Sequence, residues 1–470
     1  MHLSTLAKRV NLLLFLVVAA FYLYGLGKLP LLGPDEPRYA QVAREMFLNG
    51  DLVTPTLGGH TWFEKPSLLY WLMIGAFKVF GVSEWSARLG PALCGILTIA
   101  AVWLVAREID KDALGIVVTA TCLGLIVFSR AASFDVVITM ATTWSLAFFL
   151  LHELNAVRNK RLLLIGFYVF IGVSLLAKGL VGIVVPFGVI GLFYLLRRKW
   201  PQRAVPASLL WGIPLALAVS ATWYAPVIAR HGWSFVEEFF LQHHFARYVS
   251  NKYHHPQPFY FFPAIILMLA LPWTPFLVAA LVKARKWTWR SDDKVSVVRV
   301  FALAWLIFPI VFFSFSGSKL PGYVLPALPA AALLIVDVLN KRRRTLVASI
   351  ACATVALALV ALVFFAPPVA KREAVRDLLR LADEKGYANA PVLSRASDDR
   401  SAEFYAHGRV IYKADGEPLT FDAMSAAEAR ARGGRFVVLI PLEHAENYKG
   451  SPYIEFIGDN GHTAVLGWNP

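Results

Sequence analysis

The sequence predicts an all-α polytopic membrane protein that carries a small α/β domain at its C-terminal end. Apolar runs of about 16 or more residues recur through residues 1–370, and each approaches the ~20 residues that cross the hydrocarbon core of a bilayer. Only 16% of the 470 residues are charged, against roughly 25% in a soluble domain. After Pro367 and Pro368 the composition changes to that of a soluble domain. We therefore predict a transmembrane domain at 1–370 and a soluble α/β domain at 371–470.

About eleven helices are predicted to span the membrane. One further apolar segment, from Ser67 to Gly81, is ambiguous because it is short and contains Lys78. The predicted spans lie near residues 10–32, 87–106, 113–130, 136–152, 162–177, 180–196, 207–229, 258–281, 300–315, 324–340 and 345–366.

Charge decides whether the ambiguous segment crosses. If it does not cross, six loops rich in Lys and Arg all lie on the side of the N-terminus, whereas a crossing would invert every later loop. Basic loops are retained in the cytoplasm, so the first arrangement is favoured and Ser67 to Gly81 is predicted to lie along the outer interface. The formal charge of +15 then reflects membrane topology. No basic soluble module is present, so nucleic acid is not an expected partner.

The first outer segment, residues 33–85, contains a candidate site residue. Asp35 precedes a predicted amphipathic helix that lies on the membrane surface. The carboxylate either caps this helix or faces a reacting group, and the residues alone do not decide between the two. The predicted apolar face of the helix, at helical spacing, consists of Tyr39, Val42, Ala43, Met46 and Phe47.

Four more residues on the outer side suggest chemistry. Glu64 and Lys65 form either a surface ion pair or part of a phosphate site. Asp135, at the start of a span, either caps it or places a carboxylate at the interface. Lys178 lies between two spans on the outer side. The positive-inside rule accounts for basic residues on the cytoplasmic side, so it does not explain a lysine at this position.

The remaining outer segments offer cations, histidines and a tyrosine. His243 and His244 are adjacent, so at most one of them joins a given metal site on a helix. Arg247 is suited to a bidentate contact with phosphate. The segment from Ser316 to Tyr323 breaks the membrane pattern with Gly and Pro, which is typical of backbone that lines a site.

Together these residues resemble a known family. The motifs are Asp-Glu-Pro-Arg-Tyr at 35–39, Phe-Glu-Lys-Pro at 63–66, Asp135, Ala-Lys-Gly at 177–179, and Ser-Lys-Leu-Pro-Gly-Tyr-Val-Leu-Pro at 318–326. Their order resembles that of the bacterial aminoarabinose transferases of lipid A and, more broadly, the protein O-mannosyltransferase-like members of the GT-C superfamily. The resemblance covers residues 1–330. It implies a sugar donor on undecaprenyl phosphate, a site facing the periplasm, and inversion at the anomeric carbon.

The resemblance also implies roles for individual residues. Asp35 and Asp135 are expected to be catalytic, and Arg38, Tyr39 and Lys319 to bind substrate. The lipid phosphate is expected to contact Lys65, Lys178, Arg247 and Tyr323. A divalent metal, zinc by preference, is expected at Glu64 with His243 or His244, and no other cofactor is implied.

The predicted function is transfer of a sugar from a polyprenyl phosphate to a periplasm-facing lipid or glycoconjugate acceptor, with transfer of 4-amino-4-deoxy-L-arabinose to lipid A as the leading case. One alternative is a transporter or flippase for lipid-linked sugars, which is disfavoured because the polar groups lie in outer loops rather than in paired repeats near the midplane. A second alternative is a non-catalytic sensor with the C-terminal residues as its binding module, which is disfavoured because the carboxylates and cations cluster far from those residues in the sequence. The expected location is the bacterial inner membrane, with a cytoplasmic N-terminus and a periplasmic C-terminal domain.

The first testable prediction concerns this topology. In a background whose three native cysteines are replaced by Ala, single cysteines near Thr61 and near Gly416 should react with a membrane-impermeant thiol reagent added from the periplasmic side. A cysteine near Lys199 should react only after the membrane is opened. Labelling of the Thr61 position from the cytoplasmic side would overturn the topology.

Overall fold

The computed structural model describes residues 2–246, 257–340, 343–394, 400–413, 416–421, 434–448 and 450–469, with side chains for all of these except 2–7, 243–246 and 394. The contacts divide the chain into two compact units. The bundle unit consists of Met1–Tyr24, Phe63–Leu69 and Leu89–Leu357. The tail unit consists of Gly25–Trp62, Tyr70–Arg88 and Ala358–Pro470. Most of the first predicted outer segment thus belongs to the same compact unit as the C-terminal residues. The predicted domain boundary at residue 370 instead places these two parts of the chain in different domains.

Helices dominate the described residues. Up to residue 246 they are α1 (His2–Leu23), α2 (Asp35–Asn49), α3 (Leu68–Phe80), α4 (Glu84–Ala106), α5 (Asp112–Ala120), α6 (Leu123–Phe128), α7 (Phe134–Glu153), α8 (Lys160–Lys178), α9 (Val181–Arg197), α10 (Ala204–Val236) and a π-helical segment, Glu237–Ala246. After residue 257 they are α11 (Phe261–Leu269), α12 (Thr274–Lys283), α13 (Lys294–Ser314), a 3₁₀ segment, Pro321–Ala327, α14 (Leu328–Val338), α15 (Arg344–Val360), α16 (Ala366–Glu373), α17 (Arg376–Ala382), α18 (Ser401–Tyr405) and α19 (Leu442–Ala445).

Seven helices among the described residues are long and apolar enough to cross a membrane, and an eighth span exists if α11 and α12 are counted together. These two helices meet at an angle of 119°, so the single predicted span at 258–281 is bent. The predicted span at 113–130 is wrong as one helix, because α5 and α6 are separate. The seven are Glu84–Ile109, Phe134–Glu153, Lys160–Lys178, Ala204–Gln242, Lys294–Ser314, Pro321–Val338 and Arg344–Glu373.

The two interrupted segments satisfy each other's polar groups within the bundle unit. The backbone N–H of Leu123 donates to the carbonyl of Leu271 at 2.8 Å. The indole N–H of Trp273 donates to the hydroxyl of Thr121 at 3.0 Å, and both side chains are buried. Broken helices are tolerated at membrane depth only where protein satisfies the freed backbone, and each break here supplies the partner for the other.

The tail unit contains the small sheet that the sequence predicts. Its strands are β3 (Val392–Ser394), β4 (Phe436–Pro441), β5 (Ile454–Asp459) and β6 (Thr463–Trp468), in the order β3-β4-β6-β5. β3 runs parallel to β4, and the other two pairs are antiparallel. A separate two-stranded ribbon, β1 (Thr56–Leu57) and β2 (His60–Thr61), lies in the first outer segment.

Several predicted elements of the tail have a definite outcome. The strands at 391–394 and 436–440 and the hairpin at 459–461 are confirmed. The strand predicted at 409–412 is wrong, because Val410 and Tyr412 form only isolated bridges. The helix predicted at 373–384 is interrupted between α16 and α17. Most of the helix predicted at 421–432 lies outside the described residues.

A buried arginine near the start of α4 holds the first outer segment in place. Arg88 Nε donates to Glu36 Oε1 at 3.0 Å and Arg88 Nη2 donates to Glu36 Oε2 at 2.7 Å. The same guanidinium donates to the carbonyls of Leu26, Leu29 and Pro30 at 2.7–2.8 Å. Five donated hydrogen bonds saturate the guanidinium, and Glu36 neutralises its charge. The chain before α2 is thereby held at one end of α4.

A second set of contacts joins the first outer segment to the C-terminal residues of the same unit. Leu31 N donates to the Tyr405 hydroxyl at 2.7 Å, and that hydroxyl donates to Glu84 Oε1 at 3.2 Å. Arg44 Nη1 donates to the carbonyl of Phe404 at 3.2 Å. Residues of the short helix α18 therefore contact the chain just before α2, the later part of α2, and the first residue of α4.

The pairing of Arg88 with Glu36 makes the second prediction. Glu36→Gln leaves a buried guanidinium without its counter-charge, so we expect a loss of about 3–5 kcal/mol in the free energy of unfolding. Thermal unfolding of the detergent-solubilised protein measures the change. The matched control is Glu384→Gln, which removes the exposed pair with Arg380 at 3.6 Å and should cost no more than ~1 kcal/mol. Equal unfolding midpoints for the two variants would contradict this account.

Candidate active site

Asp35 is the first residue of α2, and it does not act as the cap of that helix. The capping position is Pro34, and no side chain caps the helix. The Asp35 carboxylate is about half exposed and pairs with Arg38, with 2.5 Å between Oδ1 and Nη2. The helix-capping interpretation of Asp35 is therefore wrong.

Arg38 is held in a fixed position beside Asp35. Its guanidinium lies over the Trp62 ring at 5.2 Å and over the Tyr39 ring at 5.5 Å from the centroids. Arg400 and Glu403, an ion pair from the C-terminal residues with 2.8 Å between Nη1 and Oε1, lie within electrostatic range of Arg38. Burial raises the pKa of Glu403, and the cations Arg400 and Arg38 oppose that rise. Within the tail unit, Asp35 thus has one orienting partner, Arg38, which is itself fixed by aromatic rings.

Asp135 and Lys178 form the second cluster, in the bundle unit. Ser133 caps α7 by accepting from the backbone N–H of Asp135 at 3.1 Å, so the capping interpretation of Asp135 is also wrong. The Asp135 carboxylate forms an ion pair with the ammonium of Lys178, the last residue of α8. Each of the two side chains is about one-fifth exposed, so the pair remains accessible. Gly179 follows with a φ of 67°, which ends α8 directly after the lysine.

Tyr323 completes this cluster from the 3₁₀ segment at 321–327. The Lys178 ammonium lies 4.9 Å from the centroid of the Tyr323 ring. A side chain at position 322 would overlap the Asp135 carboxylate, so Gly322 permits the close approach of the segment to α7. The ring of Tyr323 also packs on Phe262 and Phe313, at 6.4 and 5.4 Å between centroids. A cation, a carboxylate and a phenol are therefore brought together from three elements.

Glu64 and Lys65 pair with each other in the bundle unit, with 2.6 Å between Oε1 and Nζ and both side chains largely buried. The Glu64 carboxylate is therefore already engaged by a cation, which is a poor setting for a metal ligand because a bound metal would repel the ammonium. The side chains of His243 and His244 lie outside the described part of the chain. Among the residues described, no group of three or more His, Cys, Asp or Glu side chains is arranged to hold a metal ion.

The predicted site residues are thus distributed as follows. Lys178, Tyr323 and Asp135 are together, and Asp35, Arg38 and Tyr39 are together. Lys319 donates to the carbonyl of Gln257 at 2.9 Å and is partly exposed. Arg247 lies outside the described residues, so its predicted contact with phosphate stays a prediction.

Sequence reasoning missed three residues that organise these clusters. Glu36 lies inside the first motif, but the sequence predicts no role for it. Arg88 places a charge inside a predicted apolar span, where the positive-inside rule does not explain it. That misplaced charge was the available signal, since buried charges in spans need a partner. Gly322 was noted only as a breaker of the membrane pattern, because a single sequence does not show which side chain approaches it.

The helices, the small mixed sheet and the polar clusters at helix ends define a class: the chain is a multi-pass inner-membrane protein with a fold of the GT-C type. Residues 10–287 match the dolichyl-phosphate-mannose-protein mannosyltransferase family, and the chain belongs to that family.

Named relatives refine the comparison. An undecaprenyl phosphate-alpha-4-amino-4-deoxy-L-arabinose arabinosyl transferase of Pseudomonas aeruginosa is 33% identical over 345 residues, 71% of this chain and 60% of that protein. The transferase of the same name from Erwinia tasmaniensis is 32% identical over 335 residues, 70% of this chain and 59% of that one. The crystal structure of ArnT from Cupriavidus metallidurans bound to undecaprenyl phosphate has a TM-score of 0.77 at 22% identity and covers 97% of both chains. This last likeness shows the fold, and the chain spans about three-fifths of the length of the curated relatives.

The third prediction tests the close approach at Gly322. Gly322→Ala should destabilise the protein by about 1–3 kcal/mol, because the added methyl group overlaps the Asp135 carboxylate. The matched control is Gly191→Ala in α9, where an added Cβ meets nothing within 4 Å, and it should be neutral or slightly stabilising. Thermal unfolding in detergent measures both.

A double variant separates this overlap from a general backbone effect. Asp135→Ala removes the overlapping carboxylate, so Gly322→Ala should cost less in that background than in the wild type. Additive costs would show that the overlap is not the cause.

Proposed function

We propose that this protein is an inverting glycosyltransferase that moves a sugar from undecaprenyl phosphate, or a related polyprenyl phosphate, to an acceptor facing the periplasm. The leading case is 4-amino-4-deoxy-L-arabinose as the sugar and lipid A as the acceptor. An acceptor oxygen attacks the anomeric carbon, a bond forms on the opposite face of the sugar, and the bond to the phosphate oxygen breaks. The carrier phosphate leaves with that electron pair, so negative charge accumulates on its oxygens.

The observation that supports this proposal is the position of Lys178 between Asp135 and Tyr323. Its ammonium is accessible, it is oriented by a carboxylate, and a phenol lies beside it. A leaving phosphate is stabilised by a fixed cation whose interaction strengthens as the bond breaks. In the absence of the lipid, Asp135 balances the lysine charge, and it then orients the lysine when phosphate arrives. Relatives named for the same donor lipid agree with this assignment.

We assign the contact with the acceptor to Asp35. Its carboxylate is exposed, it does not cap α2, and Arg38 orients it. If the acceptor is a hydroxyl, Asp35 accepts its proton during attack. If the acceptor is an already ionised phosphate, no proton moves and Asp35 positions it. Tyr39 and Lys319 are assigned to substrate binding, and Lys65 and Arg247 to the donor phosphate.

The proposal includes a topology with about eleven spans, a cytoplasmic N-terminus and a periplasmic C-terminal domain from residue 371. The positive-inside rule supports this orientation, and the bent pair α11–α12 would count as one of the spans. A divalent metal at Glu64 with His243 or His244 is a separate proposal, and no step described here depends on it.

The fourth prediction tests the function and the role of Lys178 together. Mass spectrometry of lipid A and membrane glycoconjugates should show a sugar that disappears when the gene is deleted and returns with the wild-type gene. Lys178→Gln should lower kcat/KM for the donor about 10²–10³-fold, since a charge aimed at the leaving group is lost.

The matched control is Lys160→Gln, at the opposite end of the same helix and ~27 Å from Lys178. It should leave transfer unchanged. Unaltered glycoconjugates after deletion would overturn the function, and full activity of Lys178→Gln would overturn the role of that residue alone.

A further inference from the structure

A cavity of about 470 Å³ lies within the tail unit, apart from the residues assigned above. Its walls come from α2, from the turn before α4, from α17 and from the residues in and after α18. Arg44, Arg376 and His407 supply polar groups to the wall, while Leu48 and Val82 supply apolar ones. None of the motif residues lines it, so the proposed transfer reaction leaves this cavity without a role.

The charged side chains of the wall differ in whether they form ion pairs. Two carboxylates line the cavity, and each already has a partner: Glu84 pairs with Arg376 at 3.1 Å, and Asp383 pairs with Arg409 at 2.9 Å. Two of the three lining arginines are also paired, Arg376 with Glu84 and Arg380 with Glu384 at 3.6 Å. Arg44 is the lining arginine that forms no ion pair with any of the described residues.

Arg44 is held in place although it forms no ion pair with the described residues. Its hydrogen bond to the carbonyl of Phe404 uses one nitrogen of the guanidinium and leaves other N–H groups to donate. Burial lowers the pKa of Arg44, and only its neighbour Glu45 acts in the opposite direction. Burial also lowers the pKa of His407, and Arg44 and Arg409 lower it further. A half-buried cation beside a neutral imidazole is a suitable pair of donors for phosphate oxygens.

The mouth of the cavity is apolar and exposed. Leu48 is 67% exposed and Val82 is 37% exposed, and both line the cavity. Leu52, Val79 and Phe80, next to them along the chain, are 50%, 70% and 58% exposed. Large exposed apolar side chains on neighbouring segments mark a surface that contacts lipid, as expected for the amphipathic α2. A ligand entering here meets a lipid-facing rim first and the guanidinium behind it.

We propose that this cavity binds a phosphate group of the lipid that accepts the sugar, with Arg44 donating to the phosphate oxygens and the rim of Leu48 and Val82 packing on the lipid chains. This rests on the proposed function, since it identifies the acceptor as a phosphate-bearing lipid. Arg44 lies nine residues after Asp35 on α2, which places it ~14 Å further along the helix axis. The bound phosphate is accordingly a second polar group of the acceptor, distant from the atom that receives the sugar.

The fifth prediction tests binding with defined probes. The full chain in detergent, saturated with undecaprenyl phosphate to fill the donor site, is titrated with short-chain phosphatidic acid or with diacylglycerol of the same chains and followed by native mass spectrometry. Arg44→Gln should weaken phosphatidic acid binding about tenfold and leave diacylglycerol binding unchanged, because one charge-assisted contact is lost. Arg44→Lys, which keeps the charge, should stay within about threefold of wild type.

The control variant is Lys385→Gln, which removes an exposed cation of the same unit that pairs with Glu455 at 3.1 Å. It should bind both lipids as the wild type does. Retained diacylglycerol binding and an unchanged unfolding midpoint show that Arg44→Gln is folded. Equal phosphatidic acid affinity for wild type and Arg44→Gln would overturn the inference, and so would inorganic phosphate binding as tightly as the lipid.

Kinetics separate this inference from the proposed function. In a wild-type protein that transfers sugar, Arg44→Gln should raise KM for the acceptor about tenfold with little change in KM for the donor. A rise in KM for both substrates would point to a structural defect and overturn the acceptor assignment. If the wild type transfers no sugar at all, the proposed function and the acceptor assignment fail together, while binding through Arg44 would still show a lipid phosphate site.

Discussion

The buried pair of Arg88 and Glu36 is the constraint on which the tail unit depends. A guanidinium inside a span is tolerated only when its charge and all its donors are satisfied, and here one carboxylate and three backbone carbonyls do so. The same contacts fix the chain between the first span and α2. The exposed carboxylate of Asp35 begins that helix one residue before Glu36. A buried interaction with no chemistry of its own therefore sets where a candidate reactive group lies.

The two candidate carboxylates are presented by different means. Ser133 caps α7, so the Asp135 carboxylate does not cap this helix and pairs with Lys178 instead. Asp35 begins a helix whose cap position is a proline without a side-chain acceptor, so its carboxylate turns to Arg38 instead. In both units a carboxylate at a helix start is paired with a cation near the protein surface. The Asp35 carboxylate is the more exposed of the two, since about half of its side chain is exposed against about one-fifth for Asp135.

Composition and periodicity predicted the main features of the fold for clear physical reasons. Apolar length revealed most spans, a short strand-like apolar run revealed β4, and the Asp-Asn-Gly turn revealed the β5–β6 hairpin. The breaks near Thr121 and Leu271 were missed because each is compensated by the other, and the bonded residues Thr121 and Trp273 lie 152 positions apart. Asp135 and Lys178 were each predicted as candidate site residues, but their pairing was not, because 43 positions separate them in the sequence. Pairing depends on tertiary structure that one sequence does not display.

The hydrogen bond from Leu31 to Tyr405 has a consequence for how the chain is made. It joins residues 374 positions apart in a chain of 470. Synthesis proceeds from the N-terminus, so the segment around α2 emerges long before the residues that contact it exist. The contacts between α2 and α18 can therefore form only after Tyr405 has been made. The tail unit accordingly assembles after the chain of the bundle unit that lies between its parts has been synthesised.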